Sequence, residues 1–170
     1  MIEKRLIEKI LDGYALNPLG MHGLPHWGRV LETGLRLAGV TGADPRIVEL
    51  FAVFHDSRRI NDHVDKGHGR RGADLARRLR GEYFEINDED FELLVGACDR
   101  HTDGQTQANV TVQTCWDSDR LDLWRAGITP HTDYLCTDAA KDRNIIEWAR
   151  DRSLSNFTPV FVTDSWLKKE

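Results

Sequence analysis

Apolar residues recur every three or four positions along almost the whole chain, and this spacing limits the fold more than any other feature. The first such stripe consists of Ile2, Leu6, Ile7, Ile10 and Leu11. A second stripe follows the Gly- and Pro-rich segment 17–25 and predicts a helix over about Pro25 to Gly39. No segment before the C-terminal PVFVT alternates with the period of two that strands show. The sequence therefore predicts an all-α fold, an irregular bundle of about seven helices.

The length and charge of the chain limit its organisation and its partners. A length of 170 residues fits one domain, which we expect to span 1–170 with a C-terminal helix and tail over 137–170. The net charge of −5 argues against a nucleic-acid partner, because binding to a phosphate backbone needs clustered Lys and Arg. Charges every few residues near the N-terminus are untypical of a signal peptide, and no apolar window is long enough to cross a membrane.

The number and spacing of the cysteines indicate the cellular compartment of the protein. The chain has three, Cys98, Cys115 and Cys136, and none belongs to a Cys-x-x-Cys pair. Neither a disulfide framework nor a thiolate zinc site is indicated. We therefore expect a cytoplasmic protein.

The most apolar segment of the chain ends in a histidine and an aspartate. Asp44 and Pro45 are typical of the start of a helix, and the run IVELFAVF follows them. By periodicity alone this run could also be a buried strand, but the signals at its start favour a buried helix. His55 and Asp56 would then lie at the inner end of that helix.

Six residues able to bind a metal lie on, or at the ends of, inward-facing helical stripes. They are His26, His55, Asp56, His68, His101 and Asp119. Taken singly, each has an ordinary explanation: a hydrogen-bonded core histidine, a helix cap, or a carboxylate paired with Arg120 or Arg125. Inward carboxylates cost several kcal/mol unless they are paired or bound to a metal, so the joint pattern favours one metal site. Imidazole and carboxylate ligands suit Mn, Fe or Zn.

The same residues carry a resemblance to a known superfamily. The segments HWGRV, FHDSRR and CWDSDRLDL, within about residues 22–127, resemble the HD domain of metal-dependent phosphohydrolases. This resemblance implies an HD-domain helical bundle with a first divalent metal (Mn, Fe, Zn, Co or Mg) bound by His26, His55, Asp56 and Asp119. It further implies a second metal bound by Asp56, His68 and His101. His68 follows Asp56 by only twelve positions, which is shorter than in most two-metal members, so one or two metals are left open.

The resemblance also implies an activity. A metal-activated water would cleave a phosphate ester or anhydride of a nucleotide or another small phosphorylated metabolite. Asp56 would be a catalytic residue, and Arg58 is the second candidate because it is the arginine nearest the His-Asp pair in sequence. Candidates for substrate binding are Arg59, Lys66, Arg71 and His22, although such Arg-rich segments are usually solvated and His22 is as easily explained as a helix cap.

Two other functions remain open at this point. One is an HD-type di-iron oxygenase, which uses a similar set of six ligands, and the other is a non-catalytic metal-binding signalling module. Neither the substrate nor the oligomeric state follows from the sequence. His63 is expected to be exposed, and the C-terminal SNFTPVFV is expected either to pack across the bundle or to meet another subunit.

Overall fold

The fold consists of helices, and their order is given by a computed structural model that describes residues 2–168. The α-helices are α1 (Lys4–Leu11), α2 (Leu24–Thr41), α3 (Pro45–Phe54), α4 (His68–Leu79), α5 (Asp88–Arg100), α6 (Val110–Arg120), α7 (Asp138–Lys141) and α8 (Arg143–Leu154). Two 3-10 turns, Leu123–Ala126 and Thr132–Tyr134, and a π turn, Val162–Trp166, complete the secondary structure. No strand occurs within 2–168, so the predicted all-α class is confirmed. Within residues 2–168 there are eight α-helices, in agreement with the prediction of about seven.

Helix starts follow from local capping. The Asp44 side chain accepts hydrogen bonds from the backbone N–H groups of Arg46 and Ile47, and Pro45 is the first residue of α3. This confirms the predicted start of α3, since such a carboxylate satisfies donors that have no partner inside the helix. At the other end, α2 runs two residues beyond the predicted Gly39 and stops at Gly42, which has a φ of 75°. A left-handed conformation of this kind favours glycine, which explains the position of the stop.

Helix α3 lies in the middle of the bundle. It packs against α2, α4, α5 and α6, and every residue from Ile47 to Phe54 except Glu49 is buried. This all-round burial explains why the run is apolar on every face. The main core extends along the described chain from Ile2 to Trp166.

Two glycines bring α4 unusually close to its neighbours. A Cβ atom at Gly72 would lie 2.2 Å from the carbonyl oxygen of Phe54, and one at Gly69 would lie 2.2 Å from that of Cys98. Any larger residue would therefore push α4 away from the ends of α3 and α5. The close approach places His68, in the first turn of α4, beside the ends of both helices.

The C-terminal segment packs across the bundle. Val162 and Trp166 are buried in the main core, and a Cβ at Gly28 would lie 2.5 Å from Cγ2 of Val162. Of the two expectations for SNFTPVFV, the structure therefore shows packing within the chain. Met1 and residues 169–170, at the ends of the predicted domain and tail, lie outside the described residues. No helix within 2–168 has the length and apolar character needed to cross a membrane.

Candidate metal centre

The ends of five helices meet at one buried point and bring all six predicted metal ligands together. His26 lies in the first turn of α2, His55 and Asp56 directly follow α3, His68 opens α4, His101 follows α5, and Asp119 lies in the last turn of α6. All six side chains are buried. The ligands thus come from distant parts of the sequence, and the packing of the helices determines their separation.

A first group of ligands forms around His26 and His55. Their Nε2 atoms are 3.0 Å apart. Oδ1 of Asp119 lies 3.4 Å from Nε2 of His26 and 3.6 Å from Nε2 of His55. Oδ2 of Asp56 lies 3.6 Å and 3.9 Å from the same two nitrogens. Four side chains from three helices, α2, α3 and α6, therefore direct their ligand atoms at a common space.

A second group shares Asp56 with the first. Oδ1 of Asp56 lies 3.1 Å from Nε2 of His68 and 3.7 Å from Nε2 of His101, and these two nitrogens are 2.9 Å apart. The two oxygens of Asp56 consequently face different groups, with Oδ2 toward His26 and His55 and Oδ1 toward His68 and His101. One carboxylate is thus placed between two clusters of possible ligands.

Hydrogen bonds on the outer side of each imidazole fix its orientation. Nδ1 of His26 bonds to Oδ2 of Asp122 at 2.8 Å. The Nδ1 atoms of the other three histidines bond to backbone oxygens: His55 to Phe51 at 3.1 Å, His68 to Asp65 at 2.6 Å and His101 to Cys98 at 2.7 Å. Carbonyl and carboxylate oxygens only accept, so in the neutral ring Nδ1 carries the proton and Nε2 exposes a lone pair. Lone pairs 3.0 Å and 2.9 Å apart repel each other unless a proton or a cation lies between them. The donor set therefore fits a metal ion, since metal-binding histidines are usually held in this way.

The charges of the site support the same interpretation. Burial and the nearby Arg125 lower the pKa of His26 to about 3, so this ring is neutral and able to bind a metal at pH 7. Burial disfavours the charged form of Asp56, but His55 and hydrogen bonds from other histidines hold the pKa of this carboxyl well below its usual value. For Asp119, His55 likewise outweighs burial and lowers the pKa. Both carboxylates are therefore ionised at neutral pH.

Asp122 supports the centre from outside the ligand set. Besides its bond to His26, its carboxylate accepts two bonds from Arg29, at 2.7 Å to Nε and 2.9 Å to Nη2. Burial opposes ionisation, but His26 and Arg29 hold the pKa of Asp122 at about 2. The sequence did not indicate the bond between Asp122 and His26. The signal that could have found it is the position of Asp122 only three residues after Asp119, which lies in the last turn of α6.

Two of the residues predicted to bind substrate, His22 and Arg59, lie at the ligand cluster. His22 is buried and its Nδ1 lies 2.8 Å from Oδ2 of Asp56, so the structure brings it to the cluster. Arg59 also reaches the cluster, since its Nη1 lies 3.3 Å from Nε2 of His68 and 3.6 Å from Oδ1 of Asp56. Both residues lie beside the shared carboxylate.

Other predicted residues make contacts away from the cluster. Arg58 donates to the carbonyl oxygens of Ile10, at 2.9 Å, and Ser57, at 2.7 Å, which turns its guanidinium toward α1. Arg71 binds both oxygens of Asp65 at 2.6 Å. These contacts favour structural roles. Lys66 is exposed in the loop before α4, as is the unassigned His63.

One further side chain, Arg125, faces the ligands, and the sequence named it only as a possible partner of Asp119. Nη2 of Arg125 lies 3.9 Å from Oδ2 of Asp56 and 3.9 Å from Oδ1 of Asp119. Its other nitrogens are anchored, with Nε bonded to the carbonyl oxygen of Met21 at 3.0 Å and Nη1 to that of Asp122 at 2.9 Å. The hydroxyl of Tyr14 is buried without a hydrogen-bond partner among the described residues, and burial, together with Asp56, raises its pKa. Arg125 lies in a 3-10 turn and Tyr14 in a loop, where no periodicity marks an inward position.

Two cavities flank the centre. One has a volume of about 470 Å³, and Arg29 and Arg125 are among the residues that line it. The other has a volume of about 400 Å³, and the ligands His101 and Asp119 form part of its wall. The smaller, mostly apolar cavity therefore opens directly onto two of the ligands.

Comparison with known proteins identifies no relative of the chain. No protein-family model, no curated protein and no solved structure matches it. The interpretation of the site therefore rests on its own geometry.

Proposed function

We propose that the chain is a divalent-metal-dependent phosphohydrolase of the HD type, acting on a phosphate ester or anhydride of a nucleotide or another small phosphorylated metabolite. The observation that carries the proposal is the position of Asp56, whose two oxygens face two separate histidine pairs. Paired metals that share a ligand are typical of enzymes that cleave phosphate esters. When bound, such cations lower the pKa of a water molecule and polarise a phosphoryl oxygen.

The ligand chemistry supports metals that prefer nitrogen and oxygen. His26, His55, Asp56 and Asp119 would hold the first ion, and Asp56, His68 and His101 the second. The thiols of Cys98 and Cys115 are buried, and burial raises their pKa, so neither supplies a thiolate. Mixed imidazole and carboxylate ligands suit Mn, Fe, Co or Zn.

Arg125 is the residue best placed to bind the phosphate. Its Nη2 is too far from Asp56 and Asp119, at 3.9 Å from each, for a hydrogen bond to either. That nitrogen can donate to a phosphoryl oxygen that binds beside these carboxylates. Because Nε and Nη1 are already bonded, the guanidinium is held in position before substrate arrives.

The overall reaction needs no covalent intermediate with the protein. The oxygen of a water molecule bonds to phosphorus, the P–O bond to the leaving group breaks, and the departing oxygen receives a proton. The side chains of the centre bind and orient the reactants, and Arg125 and Arg59 supply positive charge for the phosphoryl oxygens.

Metal analysis combined with an activity screen tests the proposal. The purified protein should contain metal and should hydrolyse phosphate esters such as p-nitrophenyl phosphate when supplied with Mn²⁺ or Co²⁺. The variant Asp56→Asn should lose both properties. The matched control is Asp117→Asn. Asp117, in α6, is a buried carboxylate like Asp56, but it accepts hydrogen bonds from Cys136 and Thr137 and not from residues of the metal centre.

Three results would contradict the proposal. Unchanged metal content in Asp56→Asn would show that the cluster is not the metal site. Oxygen consumption by an iron-loaded sample that hydrolyses no phosphate ester would favour the di-iron oxygenase. Bound metal with neither activity would favour the non-catalytic module.

A further inference from the structure

The cleft beside His101 and Asp119 has the character of a binding site for a flat organic ring. We infer that this cleft binds a planar ring on the alcohol part of the substrate, so that the substrate is a phosphate monoester of nucleoside size. The inference rests on the proposed phosphohydrolase function and narrows it from phosphorylated metabolites in general to ring-bearing monoesters.

The cleft is continuous with the metal centre and large enough for such a group. Its volume is about 400 Å³, within the range of about 300–1,000 Å³ that small-molecule sites occupy. His101 belongs to the second ligand group and Asp119 to the first, and both line the cleft. A group in the cleft is therefore adjacent to a phosphate at the ligands.

The outer wall of the cleft exposes large apolar side chains. Ile128 is 53% exposed and Tyr134 is 57% exposed, and Leu123 and Pro130 line the cleft with them. Single exposed apolar residues are ordinary, but several that converge on one concave surface indicate a binding site. The rings of His131 and Tyr134 are nearly perpendicular, at 75°, with centroids 6.4 Å apart, so they offer aromatic surface on which a ring can stack.

The wall is held in place by Arg120. Its Nη1 donates to the carbonyl oxygen of Tyr134 at 2.6 Å, and its Nη2 donates to that of Gln105 at 2.7 Å. This guanidinium ties together the two loops that form the cleft, and both of its terminal nitrogens are thereby occupied. Tyr134 is consequently presented on a fixed backbone, which reduces the entropy lost on binding.

The two cavities differ in chemistry, and this difference orients the substrate. Arg125 lines the larger cavity and directs Nη2 toward the ligand carboxylates, whereas the terminal nitrogens of Arg120, on the cleft side, are bonded to the protein. Phosphate therefore binds beside Arg125, and the organic part extends into the apolar cleft. A long polyphosphate chain would find no comparable set of cations in the cleft.

A comparison of two related esters tests the inference. AMP and ribose 5-phosphate present the same ester to the metals, but only AMP carries a base. Stacking of one base on an aromatic residue should raise kcat/KM for AMP by about 5- to 150-fold over ribose 5-phosphate. Tyr134→Ala should remove most of this preference without changing metal content, and Tyr134→Phe should keep it.

A matched pair of exposed aliphatic residues controls for the loss of an exposed apolar side chain as such. Ile128 lines the cleft, whereas Leu154, which is 55% exposed, ends α8 and is not part of it. Ile128→Ala should weaken the preference for AMP, and Leu154→Ala should leave it unchanged. Equal kcat/KM for the two esters, or a preference that Tyr134→Ala does not alter, would overturn the inference while leaving the proposed function in place.

An adenosine-binding experiment tests the ring site independently of the proposed phosphohydrolase activity. Saturation-transfer NMR should detect contact between the adenine protons and the protein, and Tyr134→Ala should abolish it. If no phosphate ester is hydrolysed but adenosine binds in this way, the proposed function is wrong and the ring site stands. Absence of both adenosine binding and a preference for AMP would refute the ring site.

Discussion

Asp122→Asn should weaken both the fold and the metal centre. The substitution keeps the shape of the side chain but removes its charge and one acceptor oxygen. In the native protein the two oxygens accept bonds from His26 and from two nitrogens of Arg29, at 2.7–2.9 Å, and the Arg29 and Asp122 side chains are each 4% exposed. The amide of asparagine must direct its NH₂ group either toward Nε of Arg29 or toward both Nη2 of Arg29 and Nδ1 of His26, and the donors that it faces lose their acceptor.

The size of the effect follows from the burial of this pair. Removing one partner of a buried ion pair costs about 3–5 kcal/mol. For a chain of this size, each kcal/mol lowers the melting temperature by about 2–4 °C, so a fall of about 6–20 °C is expected. Loss of a carboxylate that orients a metal-binding histidine typically lowers metal affinity about 10- to 100-fold.

Two measurements separate these effects. Thermal unfolding of the metal-free protein, followed by circular dichroism, gives the change in stability, and calorimetric titration with Mn²⁺ gives the change in affinity. Asp117→Asn is the control, because it should lower the melting temperature and leave the affinity unchanged. An Asp122→Asn protein with native Mn²⁺ affinity would refute the role assigned to Asp122 in orienting His26.

Four further outcomes are expected. Arg125→Lys should lower kcat about 100-fold with unchanged metal content, because a preorganised donor to the reacting group is lost; native kcat in steady-state assays would exclude this role. Tyr14→Phe should raise the free energy of unfolding in urea by about 1 kcal/mol, since it removes a buried hydroxyl that has no hydrogen-bond partner within residues 2–168, and a destabilised variant would contradict this. The pKa of His26 falls from 6.5 to about 3 on folding, so its stabilising contribution is complete above about pH 6.5 and is lost as the pH falls toward 3. Burial disfavours the charged form of His55, but Asp56 and Asp119 raise its pKa, which acts in the opposite direction, so the test compares variants: between pH 7 and pH 5 the metal-free native protein should lose more stability in urea than His26→Asn. Gly69→Ala should reduce bound metal from two ions to one by mass spectrometry under native conditions, whereas Gly39→Ala, which meets nothing within 4 Å, should not.

Periodicity and capping predicted the helical class and the start of α3, because both depend on residues close together in the sequence. The same local signals placed His26, His68 and His101 on inward faces, where the structure brings their Nε2 atoms toward the shared carboxylate. These residues could be found because an inward polar residue stands out against an apolar stripe.

The arginines could not be assigned in the same way. Arg58 follows the His-Asp pair in sequence, but its side chain bonds to the end of α1, whereas Arg125, which is distant from that pair in sequence, faces the ligands. The direction of a long side chain in a turn depends on which backbone oxygens surround it, and tertiary packing alone determines this. Proximity in sequence was therefore a poor guide to proximity in space.

The close approach of α4 also provides a signature for recognising similar sites in other sequences. The pattern His-Gly-x-x-Gly at residues 68–72 combines a ligand with the two positions at which a Cβ would collide with neighbouring backbone. A sequence that keeps the histidines but carries larger residues at both glycines would hold its helices further apart and should bind a single metal. The residue type at these two positions is therefore as informative about the number of bound metals as the ligands themselves.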